Sequence, residues 1–94
     1  MNEQEIWQAL AHRLQEVYPY LFIGANTYYN NLPYIMIETN NKFLLSSKFR
    51  LMLTTCNGLW FPRCTRQQID LNDPDLLDHI KETIQKWLQE RNDP

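Results

Sequence analysis

The chain has 94 residues, of which 44% are apolar and 21% charged, and its formal net charge is −2. That is enough chain for one domain, residues 1–94, with a two-layer core, in the composition of an ordinary globular protein. No apolar run approaches the roughly 20 residues of a membrane helix, and the stretch containing Glu3 and Glu5 lacks the basic region of a secretory leader, so a cytoplasmic location is expected.

From Asn2 to about Tyr18, Ile6, Leu10, Leu14 and Val17 recur at helical spacing, with Trp7 and Tyr18 at the edge of the stripe. Pro19 ends this helix, because the residue before a proline is driven out of the α region. Tyr20–Ile23 is a short apolar run closed by Gly24, read as a first, edge strand, and Asn26–Asn31 as a polar loop. Tyr28 and Tyr29 are adjacent in that loop and cannot both turn inward. Pro33 opens a second strand through Thr39, since proline is tolerated at the first position of a strand.

Lys42–Arg63 reads as a long hairpin. Phe43, Leu45, Phe49, Leu51 and Leu53 alternate with Lys42, Ser46, Lys48, Arg50 and Thr54, so one face is buried and the other is not. Asn57-Gly58 suits a type I′ turn, whose two central residues need positive φ. This turn pairs Leu53 with Pro62 and Leu51 with Cys64, antiparallel, and puts Trp60 on the core face. A three-residue turn at Asn40-Asn41-Lys42 pairs Ile37 with Leu45 and keeps the isoleucines on that face. Ile69 and Leu71 extend the sheet briefly.

The last helix starts with Asp73 as its cap, Pro74 in the first turn and Asp75 at the positive end of the dipole. Leu76, Leu77, Ile80, Ile84, Trp87 and Leu88 form its stripe, and the end at Asn92–Pro94 should fray. The expected fold is therefore α+β, in the order α-β-β-β(-β)-α, with both helices on one face of an antiparallel sheet.

Charge is segregated along the chain. Residues 39–69 hold Lys42, Lys48, Arg50, Arg63 and Arg66 with no acid, whereas the flanking segments are net acidic. This makes the sheet basic and the helices acidic. The outer sheet face then shows Tyr34, Met36, Arg50, Met52, Phe61 and Arg63, joined by Leu44, Lys48 and Leu59.

No catalytic set emerges. His12 and His79 sit singly beside apolar helix positions, without the positioned partner that proton transfer needs. Cys56 and Cys64 point to opposite faces of the hairpin, so they are two free thiols and small fillers of a sheet, as suits a reducing compartment. Metal-ligand spacing is missing, and Asp70, Asp73, Asp75 and Asp78 lack the central glycine and closing glutamate of a calcium loop. With Gly24 and Gly58 as the sole glycines there is no phosphate loop either, and no cofactor is expected.

The helix, three strands, helix order is similar to that of double-stranded-RNA-binding domains. The similarity is topological: that family opens its second helix with lysines that sit on phosphates, where this chain has Asp73, Asp75 and Asp78. Arginine, tyrosine, methionine and phenylalanine on one face have the composition of a protein contact. The expectation is a small non-enzymatic protein-binding or adaptor domain, with Tyr34, Met36, Arg50, Met52, Phe61 and Arg63 as anchors and Tyr28 and Tyr29 as loop contacts. A homodimer is a possible partner arrangement. The alternative is nucleic-acid binding by the same face, with basic groups on phosphates and aromatic rings on bases.

Overall fold

The computed structural model describes residues 2–28, 32–39, 50–55 and 64–92. Helix α1 spans Glu3–Val17, strands β1 to β4 span Phe22–Tyr28, Leu32–Glu38, Arg50–Thr54 and Thr65–Gln68, and helix α2 spans Leu76–Asn92. The strands lie side by side in the order β1-β2-β3-β4. The expected α+β order holds, with both helices on one sheet face.

Parity builds the core. β2 pairs with β3 antiparallel, setting Ile35 opposite Leu53 and Ile37 opposite Leu51. These four odd-numbered residues are buried with Trp7, Ala11 and Leu14 of α1 and Ile80, Ile84 and Trp87 of α2. The expected partner of Ile37 was Leu45. The observed register is displaced from that by an even number of residues, and an even shift leaves every side chain on its expected face.

Three expectations change. The sheet is mixed, because β4 runs parallel to β3 with Leu51 opposite Thr65 and Met52 opposite Arg66. The chain has therefore returned to the start of β3 before β4 begins, and the antiparallel pairing of Leu51 with Cys64 does not form. The turn at Asn57-Gly58, the strand positions from Phe43 to Phe49, and Trp60 and Phe61 lie outside the described residues. The first strand does not stop at Gly24 but runs from Phe22 to Tyr28, fully in register with β2. Sheet pairing here overrides the weak strand preferences of glycine and asparagine.

The third change is a rotation of α1. Trp7, Ala11, Leu14 and Tyr18 face the core, while Ile6 is 38% and Val17 43% exposed. The set at 7, 11, 14 and 18 has the same helical spacing as the expected stripe, and it buries two large aromatic side chains in place of two aliphatic ones. The indole N–H groups of Trp7 and Trp87 are buried without a hydrogen-bond partner. Each such group costs on the order of 1–3 kcal/mol, which the area of the ring has to outweigh.

The ends of α1 follow local chemistry. Asn2 is extended and its Oδ1 accepts from the Glu5 N–H at 2.8 Å, with Glu3 and Glu5 in the positive first turn. After the Tyr18 N–H closes on the Leu14 carbonyl, Pro19 turns the chain. Gln15 then ties the helix to β1: its Nε2 donates to the carbonyls of Tyr18 at 3.0 Å and Leu21 at 2.6 Å, and its Oε1 accepts from the Ile23 N–H at 3.1 Å. The Tyr18 hydroxyl meets Gln85 of α2.

Pro33 fits its place for a backbone reason. It stands opposite Thr27, and the β2–β3 ladder begins one residue later, at Tyr34 and Thr54. No ladder bond is lost by its missing N–H.

Trp7→Ala should cost about 3–5 kcal/mol and Ile6→Ala less than about 1 kcal/mol in urea unfolding, the reverse of what the expected stripe implies. Gln15→Ala should cost about 1–3 kcal/mol and speed amide exchange at Ile23 while the rest of β1 keeps its protection.

Candidate functional site: the even face of the sheet

Because successive side chains alternate, the face away from the helices carries the even-numbered residues. Register places Phe22, Gly24 and Asn26 of β1 beside Glu38, Met36 and Tyr34 of β2, which in turn stand beside Arg50, Met52 and Thr54 of β3. Arg66 and Gln68 of β4 complete the row.

This face is uneven in depth. Met52 is fully buried and Tyr34 is 8% exposed, so these two expected anchors lie within the molecule rather than on its surface. Met36 and Arg50 are half-buried, and Arg66 is exposed. Tyr28 closes β1 opposite Leu32. Tyr29, Phe61 and Arg63 lie outside the described residues.

A depression of about 590 Å³ lies at the β1 side of this face, lined there by residues that include Phe22, Gly24, Asn26, Tyr34, Met36 and Arg50, and it continues around the strand edge to Ile23, Ala25 and Gln15. A Cβ built on Gly24 would have nothing within 4 Å, so it would stand in open space. Phe22 is 47% exposed at the rim. Sequence reasoning missed Gly24 and Asn26 because it ended the first strand at Gly24, and it placed Phe22 in that strand without assigning it to a face. The available signal was parity, since all three are even-numbered like Tyr34, Met36 and Arg50.

The electrostatics are milder than the sequence suggests. Arg50 Nε lies 4.0 Å from Glu38 Oε1, with side chains 30% and 40% exposed. A pair at that distance and exposure adds little stability, and it cancels one of the five basic charges expected on the sheet. Cys64, just before β4, is half-buried and in no disulfide. Burial pushes its pKa up, and the charges of Arg66 and Arg50 oppose that without reversing it. A thiol so held is protonated and unreactive at neutral pH.

A second cluster opens α2. The Asp73 side chain accepts from the Asp75 N–H at 2.9 Å, and its other oxygen meets the Nδ1 of His79 in a short contact. The helix starts at Leu76, later than the sequence implies, after a turn closed by the Leu76 N–H on the Asp73 carbonyl. Ligand atoms of Asp73, Asp75 and His79 come within 4.8 Å of one another, which makes them the candidate metal donors among the described residues. Asp73 is thus not the cap expected of it but is held in the turn before α2 through the Asp75 N–H, and the ion pair positions His79, for which the sequence suggested no partner.

The bond to Asp73 raises the His79 pKa, while the Asp75 N–H and then His79 lower that of Asp73. The histidine's share of stability is full below its unfolded value near 6.5 and is lost as pH rises through the higher folded value. The aspartate's share is present above its ordinary 3.8 and is lost as pH falls through the lower folded value. The clasp is therefore complete between those two ordinary values. An NMR titration should put His79 above 6.5, and Asp73→Asn, which keeps an oxygen for the Asp75 N–H and removes the charge, should bring it back down.

Among the described residues no helix is long and apolar enough to cross a membrane. Compared with known proteins, the chain matches no family model, no curated protein and no solved structure.

Proposed function

We propose that this chain is a small non-enzymatic protein-binding or adaptor domain that meets its partner with the even face of the sheet, in the cytoplasm. The observation that carries the reading is the hollow at Gly24, where an exposed aromatic ring, a half-buried methionine and an arginine surround an open site. Aromatic residues, methionine and arginine are the types enriched at contacts, and a recess gives an incoming side chain something to fill. Phe22, Met36 and Arg50 are its exposed or half-exposed anchors. Tyr34 lines the site, Met52 is enclosed beside it in the sheet, and Phe61, Arg63, Tyr28 and Tyr29 are proposed to extend it. A cysteine that is in no disulfide suits a reducing compartment.

The test is affinity capture from the native host with wild-type protein and the Phe22→Ala, Arg50→Glu double variant. The expected result is a protein that co-purifies with wild type and falls roughly tenfold or more with the variant, while circular dichroism shows an unchanged fold. An identical set of captured proteins would overturn the reading. A nucleic-acid partner would reveal itself in the same material as RNA or DNA whose retention drops steeply with salt.

A further inference from the structure

The two edges of the sheet are built differently. β4 presents Arg66 with Gln67 and Gln68, whereas Phe22–Thr27 of β1 carries no charged side chain. Proteins commonly protect a free strand edge with charge, proline or a bulge, and an edge without them is a template for another strand.

The hydrogen bonds of β1 show where it is open. Ile23 turns its N–H away from β2, toward Gln15, so by the two-residue period Ala25 and Thr27 also turn their peptide groups outward. Gln15 closes the edge at Ile23. At the other end the Thr27 N–H is taken at 2.8 Å by the side chain of its neighbour Asn26, an exposed local bond that a strand carbonyl can replace. Between them the N–H and C=O of Ala25 meet no group among the described residues outside the sheet, and Gly24, Asn26 and Thr27 beside it are exposed.

We infer that β1 pairs antiparallel with β1 of a second copy of this chain, about a two-fold axis through Ala25. The strand is self-complementary there. Ala25 of each copy exchanges both backbone bonds with Ala25 of the other, and the Thr27 N–H of each copy reaches the Ile23 carbonyl opposite. The Ile23 N–H stays with Gln15, which sets the end of the pairing. Such a contact is isologous and closes at the dimer. Two further features fit a copy of this chain rather than an arbitrary peptide. The register sets Gly24 opposite Asn26 of the other copy, so the asparagine released from Thr27 enters the space that the missing Cβ leaves open. The absence of charge between Phe22 and Thr27 lets identical strands approach without repulsion. The dimer is a property of the strand edge, and because Asn26 of the second copy takes the space at Gly24 it competes with a partner seated in the hollow.

Sedimentation velocity over a wide concentration range should show wild type passing from monomer to dimer, with the Ala25 amide becoming slower to exchange as the dimer forms. Ala25→Pro removes an outward N–H that the native sheet does not use, and should weaken dimerisation by about tenfold or more. Gly24→Val puts its Cβ in open space and its branched side chain where Asn26 of the other copy would lie, and should weaken it similarly, which keeps the test decisive if the proline variant does not fold. A wild-type chain that stays monomeric throughout, or a dimer that survives Gly24→Val unchanged, would overturn the inference. Arg50→Glu, two strands away, should leave dimerisation as it is, so a loss of captured partner in that variant reports on the even face alone.

Discussion

Side-chain parity along β2 is the constraint from which the rest of the molecule follows. Ile35 and Ile37 face one way, into a layer closed by α1 and α2, and Tyr34, Met36 and Glu38 face the other. Because the strand period is two, no partial adjustment is available: sliding β3 by one residue would send Leu51 and Leu53 to the far side and bring Arg50 and Met52 against Trp7 and Ile84. That penalty fixes β3 relative to β2, and with it the row of groups opposite the helices. The candidate binding face is thus the complement of the core.

Much of this was legible in the sequence, and the limits have physical causes. The stripe of α2 was readable because Ile80, Ile84 and Trp87 repeat at helical spacing, although the helix starts at Leu76 rather than directly after Asp73. The faces of β2 and β3 were readable because parity survives an even error in register, even though Ile37 was assigned the wrong partner. What could not be read depends on competition between distant segments. The direction of β4 is decided by which stretch reaches the edge of β3, and Asn57-Gly58 describes only a local preference. The rotation of α1 turns on whether two aromatic rings or two aliphatic side chains meet the sheet, and both sets have the same periodicity. Parallel pairing at β4 adds a further reason, since its partner positions bear no short-range relation to one another.

The even face illustrates how burial redistributes a list of residues. Composition alone grouped Tyr34, Met36, Arg50 and Met52 as equivalent contacts. In the fold they are graded from Met52, fully enclosed, to Met36 and Arg50, partly open, and the exposed rim falls to Phe22 on a strand that the sequence pattern truncated. Charge is likewise tempered, since Arg50 has Glu38 across the strand pair. The concave part of the surface lies around Gly24, where an added Cβ would meet nothing.

The sharing of one core by the first and last helices has a consequence for how the chain folds as it leaves the ribosome. Trp7 and Leu14 are synthesised early, but the layer they join is completed by Ile84 and Trp87, near the other end of the sequence. β1 and β2 can pair during elongation as a hairpin with α1 already beside it, yet the share of the layer that Ile80, Ile84 and Trp87 supply is missing until α2 emerges. Until then the nascent chain carries a row of isoleucine and leucine that α1 covers only in part. The interval between emergence of Leu53 and of Trp87 is when it is most exposed to chaperones and to misassociation.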